Sequence, residues 1–376
     1  MSEKDYDKWL KVFYEDNRCK ENYKFPKIIN KDNEYFSSVI SFMDNLLIDM
    51  KKENIKAEFI EIAEEYKRIF KNILDEYYSG NIIKAYDLVE KLVKEYKESD
   101  ILVSNISRSY SFNYYVIEDK EWDEFVFYRA RLGREEYNYT KDDLKHTHFN
   151  MISKIGTYRF SIPGQPCLYL GTTTYDCWLE MKKPQNNEFN AGCILLKKDY
   201  VILNLSIDIG FFTEISKNAT LNILKDLFKL LLISMVTSFC VSEESRSFKS
   251  EYIISQLFTL ACKSNGIDGI AYISKRVSSN VFGYDICMNL ALFIPYEQGK
   301  EYSEITENEM TIGIPVNFAF FDKLYPSITT STTDRLPYEI SPYIKNIGNF
   351  EYQVPYRETK FYDFDKYLYK LIKKTI

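Results

Sequence analysis

Histidine is nearly absent from this sequence, since its 376 residues include only His146 and His148. A catalytic zinc ion is usually held by two or three imidazole groups, so this scarcity argues against a zinc-dependent hydrolase. It also restricts any Ser-His or Cys-His nucleophilic mechanism to these two side chains. No acidic or cysteine cluster at ligand spacing accompanies the pair. We therefore predict a role at the surface or in contact with substrate, and no bound metal.

Cysteine pairs of the C-x-x-C type are also missing, although the chain contains seven cysteines. An odd number without such pairs, and a charged N-terminus in place of a secretion signal, favour free thiols in a reducing compartment. We therefore predict a cytoplasmic protein. The sequence likewise lacks a G-x-G-x-x-G motif after a strand, so a dinucleotide is not expected to bind on a Rossmann turn.

Long hydrophobic runs are absent too. The best candidate has 12 uncharged residues, 230–241, whereas a membrane span needs about 20, so we predict a buried helix and no membrane partner. The net charge of −6 argues against a protein that coats nucleic acid, and we expect no nucleic-acid partner. The 45% hydrophobic and 28% charged residues are typical of a soluble globular protein.

Apolar residues recur at spacings of three and four in residues 56–78 and again in residues 81–96. This period predicts two amphipathic helices joined by a tight turn at Gly80. Residues 35–50 are predicted to add another helix. Residues 1–115 are therefore expected to form an α-helical N-terminal domain.

From residue 124 onward, aromatic and β-branched residues indicate strands that alternate with helices. The predicted strands are residues 125–131, 167–171, 192–196, 200–205, 269–273 and 288–294. The predicted helices between them are residues 174–182, 220–239 and 252–264. This mixed order indicates the α+β class for a core over residues 120–300. Residues 301–376 are expected to begin as an acidic loop, to end in a helix, and to pack on the core as a C-terminal extension.

Three arginines are candidates for binding an anion. Arg159 precedes the Pro163-Gly164 turn signal, and a guanidinium group matches the oxygens of a phosphate or carboxylate. For a lone arginine a surface ion pair is the better interpretation. Arg129 and Arg131 alternate along a predicted strand and should share one face. Two cations on one face of a strand are consistent with anion binding. They are equally consistent with an edge strand that is partly exposed to solvent.

An aromatic residue and a carboxylate follow. The alternation around Tyr169 directs Leu168 and Leu170 to the core and the tyrosine to the other face. A core tyrosine with a satisfied hydroxyl is the commoner case. Glu180 lies on a predicted helix among apolar neighbours, where a carboxylate needs a specific partner or a raised pKa. The alternative is a helix residue that faces solvent.

Two polar residues stand at the ends of predicted strands. Ser274 ends the run that begins at Gly266, and Asn289 precedes the final apolar strand. Polar residues at strand ends often line sites, yet most such serines form turns.

The order of these residues along the chain is distinctive. Phe127-Tyr-Arg-Ala-Arg131 is followed by Tyr158-Arg-Phe-Ser-Ile-Pro-Gly-Gln-Pro-Cys-Leu-Tyr-Leu-Gly171 and by Cys177-Trp-Leu-Glu180. Later come Tyr252-Ile-Ile-Ser-Gln256, Ile267-Asp-Gly-Ile-Ala-Tyr-Ile-Ser274 and Asn289-Leu-Ala-Leu-Phe293. Over residues 124–296 this order resembles the RES domain family, which is named for its arginine, glutamate and serine.

The resemblance implies an ADP-ribosyltransferase-like fold and an enzyme that consumes NAD+, by hydrolysis or phosphorolysis of the nicotinamide–ribose bond. It implies one catalytic set, Arg159, Glu180 and Ser274. The implied substrate-binding residues are Tyr169 as the family's aromatic residue, Arg129 or Arg131 as its upstream arginine, and Asn289 on a strand. The match leaves the choice between Arg129 and Arg131 open.

This chain departs from the family's common pattern at the arginine. Members often carry Gly-Gly-Arg-Trp-Asn, whereas this chain has Thr157-Tyr-Arg-Phe-Ser161, which bears on the loop geometry rather than on the arginine. Helical N-terminal domains occur in long members, and some are likened to HEPN domains. Residues 1–120 contain no histidine, so a HEPN-type Arg-x4-His nuclease motif is absent from them.

The chemistry that the resemblance implies needs no metal and no cofactor. NAD+ is the substrate, and inorganic phosphate is the co-substrate if the reaction is a phosphorolysis. Arginines would hold the pyrophosphate, an aromatic ring would stack on a base, and a carboxylate would stabilise positive charge that develops on the ribose.

The leading hypothesis is a bacterial toxin or anti-phage defence effector that depletes NAD+. Two alternatives stay open: an ADP-ribosyltransferase that modifies a macromolecule, and a non-catalytic module that senses a nucleotide. The helical region could bind an antitoxin or regulatory protein, form a homo-oligomer, or control access to the site.

Overall fold

The computed structural model describes residues 3–16, 18–29, 34–109, 125–133, 139–241, 246–276, 287–325, 346–348 and 353–374. Its helices are α1 (Glu3–Phe13), α2 (Glu34–Lys52), α3 (Ala57–Tyr78), α4 (Ile82–Tyr96), α5 (Thr174–Glu180), α6 (Ile209–Ile215), α7 (Leu221–Val236), α8 (Ile253–Ser264), α9 (Glu304–Asn308), α10 (Phe318–Leu324) and α11 (Lys360–Lys373). None of these helices has both the length and the apolar character that crossing a membrane requires.

The described residues also form short and medium-length strands. They are β1 (Tyr14–Glu15), β2 (Arg18–Cys19), β3 (Lys27–Ile29), β4 (Val103–Asn105), β5 (Phe125–Leu132), β6 (Cys167–Gly171), β7 (Phe189–Leu196), β8 (Val201–Leu205), β9 (Phe239–Val241), β10 (Gly269–Ile273), β11 (Met288–Phe293), β12 (Met310–Ile312), β13 (Val316–Asn317), β14 (Asn346–Gly348) and β15 (Gln353–Pro355).

The helical pattern of the N-terminal region is confirmed by α2, α3 and α4. The buried residues of α3 repeat at spacings of three and four, which places them on one face of the helix. Gly80 adopts a φ of 82°, a conformation that glycine takes without a steric penalty, and so the chain turns between α3 and α4.

The chain folds as two compact units, each of which combines segments that are distant in sequence. The first combines Met1–Ser104 with Tyr158–Phe160 and Ile202–Lys275. The second combines Asn105–Thr157 with Ser161–Val201 and Arg276–Ile376. The N-terminal helices share a unit with a later segment because α3 packs on α7 and α4 packs on α8, so one core includes both.

Aromatic rings form the centre of the first unit. Trp9 stacks on Phe13 and contacts Phe59, Phe212 and Phe228 with ring centroids 5.0–5.6 Å apart. Residues from distant parts of the sequence therefore bury one continuous apolar surface. Two parallel strand pairs, β3 with β9 and β8 with β10, also belong to this unit.

An antiparallel sheet organises the second unit. Strand β5 pairs with β7 along its whole length and meets β6, which pairs in turn with β11. The side chains of β7 are buried throughout. Helix α11 packs on α5 and on β7. Together with the helices and parallel pairs of the first unit, this sheet confirms the predicted α+β class.

The C-terminal segment begins outside regular structure at residues 301–303, as expected, but regular elements that were not predicted follow soon after. Strands β12 and β13 both pair with β7, and α9 and α10 lie beside them in sequence. Strands of three and two residues are too short to show an alternating pattern, which is why they could not be predicted.

A buried carboxylate joins the C-terminal helix to the rest of the second unit. Asp365 Oδ1 accepts hydrogen bonds from the backbone N–H of Thr174 at 2.9 Å and from its hydroxyl at 2.5 Å. Its Oδ2 accepts from the Tyr356 hydroxyl at 2.6 Å. The side chain is fully buried. Three donors thus satisfy one buried charge and fix α11 to the start of α5.

Replacing Asp365 with alanine should lower the free energy of unfolding by about 3 kcal/mol, because three buried donors lose their acceptor. Urea denaturation would measure the loss. The matched control is Asp322→Ala, whose partly exposed ion pair with Lys360 should contribute less than about 1 kcal/mol. Equal losses in the two variants would contradict the role given to Asp365.

Candidate functional site

Arg159 lies in the first unit and is buried. Its Nη1 donates to the carbonyl oxygen of Thr237 at 2.7 Å, and its Nη2 donates to that of Phe239 at 2.7 Å. The guanidinium also stacks on the Tyr252 ring, 4.8 Å from the centroid. Burial by itself lowers the pKa of Arg159, and the neighbouring Cys240, Tyr252 and Glu251 more than offset this and hold it above its usual value. The alternative of a surface ion pair is therefore excluded.

Ser274 also belongs to the first unit. It follows the last residue of β10 and is buried. The next residue, Lys275, donates from Nζ to the hydroxyl of Ser238 at 2.6 Å. The end of β10 is thus tied to the segment whose carbonyl groups bind Arg159.

The two upstream arginines lie in the second unit on β5. They pair with Gly192 and Asn190 of β7, two positions apart, so they share one face as predicted. Nη1 of Arg129 donates to the carbonyl oxygen of Tyr169 at 2.7 Å. Nη2 of Arg131 donates to that of Lys145 at 3.1 Å. Both guanidinium groups therefore hold neighbouring main chain in the second unit.

Tyr169 lies on β6 with the orientation that its alternation predicts. Leu168 and Leu170 are fully buried on one face of the strand, and Tyr169 lies on the other. It is paired with Ala291 of β11. The Pro-Gly turn before this strand is confirmed, since the N–H of Gln165 donates to the carbonyl of Ile162 and Gly164 has a φ of 75°.

Helix α5 carries Glu180 and begins directly after β6. The hydroxyl of Thr173 caps the helix by accepting from the N–H of Asp176 at 3.0 Å. Gly171 permits this abrupt start, because a Cβ atom there would lie 3.0 Å from the Asp176 carboxylate and 3.1 Å from the Cys177 sulfur.

The end of α5 is equally well defined. The N–H of Lys182 donates to the carbonyl of Leu179, and the N–H of Lys183 donates to that of Trp178. Both lysines have a positive φ. This is the Schellman arrangement that closes helices, and it fixes the last turn, which bears Glu180.

Glu180 has a specific partner within the second unit. The side-chain amide of Asn289 donates from Nδ2 to Oε1 of Glu180 at 3.1 Å. Asn289 is buried and is the second residue of β11, where it pairs with Gly171. A strand residue thus orients a carboxylate that is half-buried at a helix end. This pair is a side-chain hydrogen bond between two of the predicted site residues.

The seven predicted residues are divided between the two units. Arg159 and Ser274 belong to the first unit, and the other five belong to the second. Within the second unit the structure brings Glu180 to Asn289 by side chain, and Arg129 to the main chain of Tyr169.

Sequence reasoning missed Asp365, which positions the start of the helix that bears Glu180. The available signal was weak. Asp365 directly follows Phe364 on the predicted C-terminal helix, and an acidic residue at the border of an apolar face can be buried with a partner.

The expected surface position is wrong for His146, which is buried. Its Nε2 accepts from the N–H of Ser303 at 2.9 Å, while Nδ1 lies 2.8 Å from the carbonyl oxygen of Thr147. Because a carbonyl only accepts, Nδ1 carries the proton and the ring is neutral. The rings of Phe149 and Tyr302 pack against it. Burial lowers the pKa of His146.

His148 is half-buried and uses its Nδ1 to accept from the N–H of Asn150. Within the ranges that the structure describes, no group of three or more His, Cys, Asp or Glu side chains is placed to hold a metal ion.

Residues 126–307 match the family model of the RES domain. The predicted resemblance is thereby confirmed over this part of the chain. A relative from Bacillus subtilis (strain 168), named "Putative toxin YopC", is 28% identical over 207 residues, which cover 52% of this chain and 47% of that protein. The match therefore spans about half the length of this curated relative. No solved structure matches the chain significantly.

The burial of His146 should make the free energy of unfolding depend on pH. Its pKa is lower in the folded chain than in the unfolded one, where it is about 6.5. The unfolded chain therefore binds the proton first as the pH falls. The contribution of neutral, buried His146 to the free energy of unfolding is therefore complete above about pH 6.5 and declines below it.

In His146→Gln, the drop in the free energy of unfolding between pH 7.5 and pH 5 should be smaller than in the unmodified protein. The glutamine side chain can still accept from Ser303 but does not titrate. Urea unfolding at several pH values would measure the drop, with His148→Gln as the matched control. An unchanged pH dependence in His146→Gln would refute the assignment.

Proposed function

We propose that this chain cleaves the nicotinamide–ribose bond of NAD+, and that it acts as an NAD+-depleting toxin or defence effector. The observation that carries the proposal is the Glu180–Asn289 pair inside the part of the chain that matches the RES domain model. The name of the Bacillus subtilis relative, a toxin, supports the biological role.

The proposed reaction needs a carboxylate in a fixed orientation. Departure of nicotinamide leaves positive charge on the ribose, as in glycoside cleavage. A preorganised anion stabilises that charge without having to reorient during the reaction. Glu180 fits this role because Asn289 holds its Oε1 and because the turn that bears it is closed by two backbone hydrogen bonds.

The other residues have roles that the family resemblance suggests. Arg129 and Arg131 would contribute positive charge toward the pyrophosphate, and Tyr169 would contribute an aromatic ring. Both terminal nitrogens of Arg159 donate to main-chain carbonyl groups, so we assign its contribution to charge and to local order rather than to a bidentate clamp. Ser274 would orient a phosphate, the nicotinamide amide or the attacking nucleophile.

The first test is product analysis. Purified protein is incubated with NAD+ in the presence and absence of inorganic phosphate, and nicotinamide and the ribose-containing products are quantified. A phosphorylated ADP-ribose product that forms only with phosphate identifies phosphorolysis, and free ADP-ribose identifies hydrolysis. Label that appears on a macromolecule would identify ADP-ribosyl transfer instead. Tight NAD+ binding without any turnover would refute the proposed enzyme activity.

Glu180→Gln should reduce nicotinamide release by about a factor of several hundred, because the amide keeps the shape but lacks the negative charge. The matched control is Glu188→Gln, since Glu188 is exposed and lies outside the proposed site. That control should retain the rate of the unmodified protein. Equal rates for Glu180→Gln and the control would remove Glu180 from the mechanism.

Asn289→Asp should move the acidic limb of the pH–rate profile to higher pH. The new carboxylate would lie about as close to Glu180 as the amide does now and would repel its ionised form. Asn289→Ser, which removes the hydrogen bond without adding charge, should lower the rate and move the limb less than Asn289→Asp does. A limb that stays in place in Asn289→Asp would show that Glu180 and Asn289 do not act together.

A further inference from the structure

The C-terminal end of α7 is the place where Arg159 is fixed. The last carbonyl groups of a helix have no partner within the helix and carry its negative dipole end. Helix α7 ends at Val236, and Arg159 donates to the carbonyl group of Thr237, which caps the helix, and to that of Phe239, the first residue of β9. A buried cation and a set of unsatisfied acceptors therefore satisfy each other.

The N-terminal region holds the same segment from other sides. The hydroxyl of Tyr35, a fully buried residue of α2, donates to the carbonyl oxygen of Val236 at 3.1 Å. The N–H of Lys27 donates to the carbonyl oxygen of Ser238 at 3.1 Å. Strand β3 then continues in parallel with β9, as Lys27 pairs with Phe239.

Ring contacts reinforce these hydrogen bonds. The Phe239 ring lies edge-on to Tyr35, with centroids 5.7 Å apart, and edge-on to Phe25, with centroids 6.0 Å apart. Burial raises the pKa of Tyr35, so its hydroxyl stays protonated and remains a donor.

Four consecutive carbonyl groups are therefore bound in alternation. Those of residues 236 and 238 accept from the N-terminal region, and those of residues 237 and 239 accept from Arg159. These hydrogen bonds anchor one four-residue backbone segment through every one of its carbonyl groups. Tyr35 and Arg159 thus act on one small backbone element.

We propose that Tyr35 is a positioning residue for Arg159, and that residues 25–29 and Tyr35 are an integral part of the arginine site rather than of a separable regulatory domain. The effect of Tyr35 on the backbone segment 236–239 does not depend on the proposed function. Its effect on NAD+ turnover rests on that function.

The test is a double-substitution cycle in the full-length protein. Tyr35→Phe removes one hydroxyl and keeps the ring. Its matched control is Tyr66→Phe, a buried tyrosine of α3 in the same unit, whose hydroxyl meets that of Tyr96. Each is combined with Arg159→Lys, because an ammonium group cannot bridge two carbonyl groups in the way that a guanidinium does.

The first measurement is amide hydrogen exchange over residues 236–241. Tyr35→Phe should speed exchange there by about tenfold, and the increase should be much smaller when Arg159→Lys is already present, because the two act on the same element. Tyr66→Phe should leave this exchange unchanged. Additive effects of Tyr35→Phe and Arg159→Lys, or equal effects of the two tyrosine variants, would overturn the proposal.

The second measurement is nicotinamide release. Tyr35→Phe should lower kcat/KM by about tenfold through displacement of Arg159, while Tyr66→Phe should not, and thermal unfolding of both variants checks that they are folded. If the unmodified protein releases no nicotinamide, the proposed function fails and the exchange cycle alone decides the role of Tyr35. If it does release nicotinamide and the two tyrosine variants are equally active, the positioning role fails and the proposed function stands.

Discussion

The first unit depends on one constraint, which is that the buried guanidinium group of Arg159 must find hydrogen-bond acceptors. A guanidinium away from water needs acceptors for its donors, and the carbonyl groups at the end of a long helix need donors. Arg159 and the end of α7 meet both needs at once. The arginine is thereby held by main chain, whose position is set by backbone pairing and by Tyr35. The orientation of the charge is consequently a property of the fold and not of a flexible side chain.

In the second unit the group to be placed is a negative charge, the carboxylate of Glu180, and it too is held by residues that are distant in sequence. Helix α5 has only seven residues, too few to be stable by itself. Asp365 binds its first turn, and the amide of Asn289 binds the carboxylate of Glu180 in its last turn. The short helix is held at both ends by residues that are distant in sequence. This makes Glu180 a well-ordered group in a position that a short helix could not otherwise maintain.

Much of the local structure could be predicted from the sequence. The spacing of apolar residues identified α3 and α4, and the alternation around Tyr169 gave the correct face of β6. The order of the arginine, glutamate and serine motifs predicted the match to the family model of the RES domain. What could not be predicted are the partners of these residues. Thr237 lies 78 residues from Arg159, and Thr174 lies 191 residues from Asp365. Periodicity records which face of an element is buried, and it contains no information about which distant carbonyl or amide will meet it. The discontinuous units were missed for the same reason.

The discontinuity of the first unit has a consequence for the order in which the protein acquires structure during synthesis. Trp9 finds its ring partners Phe212 and Phe228 only after about two hundred further residues have been made. Until then Trp9 lacks these two ring partners, and the carbonyl groups that bind Arg159 do not yet exist. A chain that is interrupted on the ribosome before α7 therefore contains the arginine without the surroundings that orient it. All segments of the first unit are present only once Lys275 has been added to the chain.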